Sequence, residues 1–366
     1  MRVCIGLLVL VVFVLAGCGQ ASAPAAATNV SADDPASVFI GGGEDEVYYM
    51  ITFVSGVEYW VPVYEMFKQA GAQLNVKTVY TGTPEYDLNA QMAVFEQVLA
   101  TRPAGIALCP INGDAFADGI QRALDMGVSI MTFATTGEHS NELAHITSDN
   151  VNEGYMAADA LAEDMGGRGE VAVLENPGQD NHDLRIRSFI ERLETRWPNV
   201  RVVARAASNQ DPDRAYTALK TMVQANPNIG GVFMPEASSG MGAAQAAIEL
   251  DTGIRVLCVD VNESILDMIK EGKLFGAINP NQGIQGYFSM LTLYLAHHGL
   301  IDPMNDYMQI NDSPVRFPLM DNGLAVITQE NADSFYLGPY LQRRNSRGIS
   351  ETSLEFAARN GSTFIR

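Results

Sequence analysis

Basic residues are scarce in this chain. Its 366 residues hold 23 Lys and Arg against 43 Asp and Glu, a formal net charge of −20. Such a surface repels a phosphate backbone, which excludes nucleic acid as a natural partner. Long apolar runs are also missing: the longest, from Ile5 to Leu15, is too short to span a bilayer comfortably. Histidine and cysteine are few, at five and four. His297 and His298 are neighbours on one helical pattern and face different ways, so they cannot chelate together. His182 beside Asp180 and Asp183 is a metal alternative to a polar loop. No nucleophile elbow or phosphate loop occurs. GMGAAQ at 240–245 imitates a dinucleotide fingerprint but opens six residues after its strand and ends in Gln. DNVNEG at 149–154 imitates a calcium loop but places Val151 at a ligand position. These absences point away from catalysis and from metals or other cofactors.

What is present begins with an export signal. MRVCIGLLVLVVFVLAGCGQ carries an early cation, Arg2, then the short apolar stretch, then small residues beside a cysteine. Leu15-Ala16-Gly17-Cys18 looks like a bacterial lipobox, in which Cys18 becomes the lipidated first residue; a plain secretory signal with a chance cysteine is the alternative. Acyl chains on Cys18 anchor a protein without a transmembrane helix. Residues 1–18 are thus expected to be signal peptide. Residues 19–46, rich in Ala, Ser, Pro, Asn and Asp through Ser37, are expected to be a flexible tether. Cys4 leaves with the signal, so Cys109 and Cys258 remain in the fold. A disulfide between them stays open; as lone thiols at strand ends they read as small buried hydrophobes.

From Val47 onward short apolar runs alternate with helical patterns. Strands are expected at 47–54, 75–80, 105–109, 128–133, 170–174, 200–206, 230–234, 255–259 and 277–278. Helices are expected at 59–73, 88–101, 114–126, 152–166, 185–196, 214–224 and 239–250. Strict βαβα alternation implies parallel sheets covered on both faces, and this many strands suit two sheets better than one. Ligands of open α/β sheets sit beyond the carboxyl ends of the strands. The residues just after each strand therefore carry the functional information.

Those residues form an ordered series: VSGVEYW, TGTPEYDLNAQ, GIALCPINGDAF, GVSIMTF, HITSDNVNEGYMAADAL, DLRIRSF, GGVFMPEASSGMGAA, VLCVDVNES and EGKLFGAINPNQGIQGY. In this order they resemble the ribose-type periplasmic sugar-binding proteins, solute receptors of bacterial ABC transporters, over roughly residues 48–335. TGTPEYDLNAQ with Gln179-Asp180-Asn181 looks most like the subgroup of rhamnose and autoinducer-2 receptors. The resemblance implies a type I periplasmic binding protein: α/β, two Rossmann-like doubly wound parallel-sheet domains joined by a three-strand hinge. The first domain would be 47–148 plus 281–312, and the second 149–280 plus 313–340, with crossings near 148–150, Asn281 and 311–314. The tail 341–366 has no counterpart.

The resemblance also implies a site. Tyr59 and Trp60 match the family's aromatics, whose faces stack on a sugar ring; the plainer alternative is that one ring packs into the following helix. Arg187 matches its sugar-binding arginine, with a surface pair to Glu191 as the alternative. Asp260 matches its second-domain aspartate, with helix capping as the alternative. Departures stand beside these matches. Ala134-Thr135 replace an aspartate and arginine, Cys109 and Glu236 replace asparagines, and Pro280 replaces a glutamine, which argues against ribose itself. Thr135, Asp180, Asn181, Glu236, Asn279 and Gln282 are expected to supply the missing polar contacts. The function implied is a lipid-anchored, monomeric receptor that passes a small carbohydrate to an ABC permease. Alternatives are a sensing subunit for a membrane kinase or chemoreceptor and an exported sugar-modifying enzyme.

Overall fold

Twelve strands and nine α-helices make up two parallel-sheet layers in the computed structural model, which describes residues 43, 45–299, 319–339 and 342. The signal, Cys18, most of the tether and nearly all of the tail lie outside the described residues. The first sheet holds β1 (Val47–Thr52), β2 (Lys77–Gly82), β3 (Gly105–Leu108), β4 (Ser129–Phe133), β5 (His145–Thr147) and β11 (Leu319–Asp321), in the order β11-β5-β4-β3-β1-β2. The second holds β6 (Gly169–Glu175), β7 (Val200–Ala207), β8 (Ile229–Met234), β9 (Arg255–Val259), β10 (Gly276–Asn279) and β12 (Ala325–Thr328), in the order β12-β10-β9-β8-β6-β7. All neighbours are parallel except β12, which runs antiparallel to β10. Both sheets reverse direction of growth once, between β1 and β3 and between β6 and β8. Crevices at the strand ends follow from that reversal.

The helices are α1 (Trp60–Gln73), α2 (Leu88–Ala100), α3 (Ala117–Asp125), α4 (Asn150–Asp164), α5 (Asp180–Arg196), α6 (Pro212–Ala225), α7 (Ala237–Leu250), α8 (Glu263–Lys270) and α9 (Gln282–His297). Side chains start several of them. Asp87 accepts from Ala90 N at 3.0 Å, Asp149 from Val151 N at 3.1 Å, and Asn262 from Ile265 N at 2.8 Å. Each such cap is worth about 1 kcal/mol. Alternating strand residues then divide each core in two. Tyr48 and Met50 pack with Phe67, Met290 and Leu293 on one face of the first sheet, while Ile51, Ile106 and Ile130 pack with Phe95 and Ile120 on the other. Val171, Val173 and Phe233 meet Phe189 and Leu161 on one face of the second sheet, and Val232, Val256 and Cys258 meet Leu219 and Ile265 on the other. Cys109, just after β3, and Cys258, in β9, are buried free thiols in the cores of different sheets, which settles the disulfide question against a bond.

Three passages connect the sheets. The first follows β5, the second separates β10 from α9, and the third lies between β11 and β12. The third corrects the expected crossing at 311–314. Residues 319–321 pair with β5 in the first sheet, so the chain changes sheets at 322–324, where Gly323 takes φ +76°. β5, β11 and β12 hold only three or four residues and, unlike the equally short β3 and β10, stand outside the βα alternation, so the sequence pattern does not disclose them. The passages are tied to one another. Asn322 donates through Nδ2 to Pro280 O at 2.7 Å and through its N–H to Thr147 O at 3.1 Å, and Asn281 Nδ2 donates to Asn322 O at 2.9 Å.

α1 and α9 approach so closely that a Cβ on Gly286 would lie 1.8 Å from Val63 O and 2.7 Å from its carbonyl carbon. Backbone cannot yield as a flexible side chain can. Gly286→Ala is therefore expected to lose about 2–3 kcal/mol of stability in urea denaturation, whereas the exposed Gly253, at φ +66° with nothing near its Cβ position, tests the separate cost of left-handed backbone. A Gly286→Ala protein as stable as the parent would mean that the two helices are not packed through this glycine.

Candidate functional site

Where the strand ends of the two sheets face each other lies a cavity of about 670 Å3. Its residues come from the ends of β1 to β9 and the turns after them, the starts of α1, α5, α7 and α8, and Gln285 of α9. The two walls differ in chemistry.

The first-domain wall is mostly aromatic. Phe53, Tyr59, Trp60 and Tyr86 line it, with Cys109, Ala134 and Thr135 behind. The rings stand edge to face: Tyr59 and Trp60 at 4.7 Å between centroids, Phe53 and Tyr86 at 5.1 Å, Phe53 and Trp60 at 5.7 Å. Trp60 is the anchor, only 4 % exposed, with its indole N–H donating to Phe53 O at 3.0 Å. Tyr59 is half-buried; burial raises its phenol pKa well above the usual value, and the Asp260 carboxylate adds to this. Thr135 Oγ1 donates to Pro110 O at 2.6 Å and sits 3.6 Å from Cys109 Sγ. That thiol is pushed up to about 12 by burial, so at neutral pH it is an uncharged small group.

The second-domain wall is polar and built around Arg185. Its guanidinium Nε is bonded to Glu153 of α4, Nη1 donates to Pro235 O at 2.9 Å, and Nη2 lies 4.0 Å from Asp260 Oδ1. All three groups are buried, which is tolerable because Arg185 and Glu153 pair as opposite charges while Asp260 is pushed toward its neutral form. Asp260 follows β9 with φ +73°, a conformation that aspartate tolerates better than most residues. Its carboxyl is pushed up to about 7: burial is the main cause, Arg185 opposes it, and Glu153 and Glu236 add to it. Nearby, Asn176 Nδ2 and His182 Nδ1 are 3.1 Å apart, while Asn176 Oδ1 accepts from Gln210 N at 2.8 Å. Burial and then Arg185 lower the His182 pKa well below normal, so its imidazole is neutral.

Among the described residues, three acceptors that line the cavity have no hydrogen-bond partner: Asp260 Oδ1, Asn181 Oδ1 and Gln285 Oε1. A buried acceptor left unpaired costs about 1–3 kcal/mol. A ligand bearing donors relieves that cost, from Asp260 and Asn181 on the polar wall and from Gln285 on the other side of the cavity.

Of the expected site residues, Tyr59, Trp60, Cys109, Thr135, Asn181, Glu236 and Asp260 are brought together around the cavity. Glu236 has another occupation: its carboxylate accepts from Ser238 N at 2.6 Å and Ser239 N at 3.0 Å, capping α7. Asp260 does not cap α8, because Asn262 does. Four expected residues lie elsewhere. Arg187 is exposed and, with Asp180, lines a separate acidic groove beside Glu138, Glu175 and Glu191. Residues two apart on a helix point about 200° apart, so Arg185 and Arg187 cannot share a wall. Asn279 uses its Oδ1 to accept from Asn281 N at 2.8 Å, and Gln282 Nε2 donates to Val261 O. Both are occupied in the second passage. Asp180 and Asp183 line the groove while His182 faces the cavity, so they do not converge on a metal.

Arg185, Asn176, Tyr86, Ser148, Gln285 and Glu58 line the cavity and were not anticipated. For Arg185 the signal was available. The buried stripe of α5 runs through His182, Arg185, Ile186, Phe189 and Leu193, at helical spacing that includes Arg185 and excludes Arg187.

The raised Asp260 carboxyl gives a signed stability prediction. Between about pH 4 and 7 the folded chain binds a proton that the unfolded chain has released, so this group's contribution falls as pH rises and is lost above about 7. At about 1.4 kcal/mol per pH unit, Asp260→Asn is expected to exceed the parent in stability by up to about 4 kcal/mol at pH 8 and by little at pH 4. Urea denaturation at the two pH values measures it; a difference independent of pH would show that Asp260 is not held protonated by burial.

Comparison with known proteins agrees with this geometry. A family profile described as a periplasmic binding protein domain matches residues 47–299. AraP, an arabinose binding protein from Geobacillus stearothermophilus, is 32 % identical over 80 % of this chain and 99 % of its own, with a TM-score of 0.72. A sugar-binding protein of a Bacillus halodurans sugar ABC transporter is 33 % identical over 80 % of this chain and all of its own, with a TM-score of 0.74. The xylitol-binding protein of Mycolicibacterium smegmatis is 22 % identical over 58 % of this chain, and the ribose import binding protein of Bacillus subtilis 25 % identical over 52 %. Those two alignments span only 61 % and 62 % of the relatives' own lengths. These relatives are binding proteins rather than enzymes, and they share the type I architecture of two crossed α/β domains. The chain belongs to the periplasmic binding protein family.

Proposed function

We propose that the chain is an exported receptor that holds a small, neutral carbohydrate between its two domains and delivers it to an ABC permease. The observation that carries the reading is the set of cavity-lining acceptors without a hydrogen-bond partner among the described residues: Asp260 Oδ1 and Asn181 Oδ1 on the polar wall, and Gln285 Oε1 of α9 on the side of the aromatic rings. Sugar hydroxyls donate to such oxygens, while the apolar C–H face of the ring meets Tyr59 and Trp60. Neutrality follows from charge. Among the described residues Arg185 is the one Lys or Arg lining the cavity, and it is already paired with Glu153. A uronate or sugar phosphate would meet Glu58, Glu236 and Asp260 without a free cation.

Delivery to a permease is supported by the sugar ABC transporter protein that matches along the whole of its chain. A solute that bonds to both walls favours the state in which they are close, and a permease can select that state. The anchor in this reading is lipid on Cys18. Cys18→Ala is expected to leave the protein without incorporated labelled fatty acid, and label entering the variant would refute the anchor.

Calorimetric titration with L-arabinose, D-ribose, D-allose, xylitol and D-galacturonate tests the site. At least one neutral compound is expected to bind and galacturonate is not. Asp260→Ala should weaken that binding by about 2–5 kcal/mol, and Arg187→Ala should leave it unchanged. Loss of binding in Arg187→Ala with Asp260→Ala unaffected would move the site to the acidic groove and contradict the proposal.

A further inference from the structure

At the rim of the cavity one carboxylate joins the two domains. Glu58 lies in the turn between β1 and α1 of the first domain. Its Oε1 accepts from the backbone N–H of Glu263 at 3.1 Å, and its Oε2 accepts from Ser264 Oγ at 3.0 Å. Both donors belong to the first turn of α8 in the second domain. A helix leaves its first N–H groups without intrahelical partners and carries positive partial charge there. Asn262 satisfies Ile265 N from within the second domain, and Glu58 satisfies Glu263 N from across the cavity. The cap of α8 is thus completed by the opposite domain, and only while the rims are in contact.

We propose that Glu58 is a positioning residue for binding: a latch whose two hydrogen bonds to the start of α8 hold the domains shut around the solute. Its neighbours give the latch its coupling. Tyr59, the next residue, lines the aromatic wall, and Asp260 lies two residues before the Asn262 cap on the polar wall. A group bonded to Asp260 fixes the short segment 260–262 that aims α8, and a ring stacked on Tyr59 fixes the turn that aims Glu58. Both halves of the latch are therefore positioned by residues that touch the cavity. The carboxylate suits the task because it only accepts and has two oxygens, matching one N–H and one hydroxyl. An amide can offer one acceptor at most.

The latch rests on the reading of the cavity as a solute site, but part of its test does not need a solute. Small-angle X-ray scattering of the full chain is compared for the parent, Glu58→Ala, Glu58→Gln and Ser264→Ala, each alone and with L-arabinose, D-ribose, D-allose or xylitol at saturation. Glu58→Ala is expected to have a larger radius of gyration than the parent without added sugar, with Glu58→Gln between them. It should also bind whichever of these sugars the parent binds about tenfold more weakly. Ser264→Ala should weaken binding less, and Glu58→Ala/Ser264→Ala no more than Glu58→Ala alone, since one latch is removed only once. If Glu58→Ala lowers the melting temperature but leaves the radius of gyration and the affinity unchanged, Glu58 is merely a helix cap and the proposal falls. Should none of the four sugars bind the parent, the carbohydrate reading fails, and the sugar-free radii alone uphold or overturn the latch.

Discussion

A buried guanidinium governs the second-domain wall. Arg185 reaches from α5 to Glu153 of α4, to the carbonyl of Pro235 after β8 and toward Asp260 after β9. One side chain therefore fixes the mutual positions of two helices and two strand ends. Removing a partner from such a buried group costs about 3–5 kcal/mol, because the remaining charge has nowhere to go. The arrangement leaves one oxygen of Asp260 without a hydrogen bond, in a left-handed backbone conformation and with its carboxyl raised to about 7. Local discomfort of this kind concentrates where a ligand later relieves it.

The first-domain wall answers a different constraint. Its sheet reverses at β1 and β3, as the second sheet does at β6 and β8, so two crevices face each other. Across from the Arg185 group the chain has placed mainly rings and small uncharged residues, with Glu58 at the rim. Trp60 is locked by its bond to Phe53 O and by edge contacts to Phe53, Tyr59 and Phe133. A rigid apolar wall opposite a polar, unsatisfied one suits a solute with a C–H face and a hydroxyl edge. The bonds among Thr147, Pro280, Asn281 and Asn322 keep the three passages together as a common pivot.

Much of this was legible in the sequence, and the misses share a cause. The βα alternation disclosed two doubly wound sheets because short, largely apolar strands recur between helical patterns. SGVEYW disclosed the aromatic wall because a buried strand has no reason to end in two rings. The strands at 145–147, 319–321 and 325–328 are not legible because they are short and stand outside the βα alternation, and the third passage depends on them. Motif position points to Arg187, whereas the helical stripe of α5 puts Arg185 on the buried face and Arg187 on the exposed one. Asn279 and Gln282 were polar residues in the right segment with structural bonds already made. A sequence shows which residues are polar; it does not show which of their oxygens remain unbonded.

The central claim is that the free oxygens of the Arg185 wall receive the solute. The most direct measurement is a crystal structure of the protein with a bound neutral sugar. The account predicts ring hydroxyls within hydrogen-bonding distance of Asp260 Oδ1 and Asn181 Oδ1, with the sugar's C–H face toward Tyr59 and Trp60. A sugar lodged in the groove beside Arg187, or one in the cavity that leaves Asp260 Oδ1 without a hydroxyl partner, would contradict it.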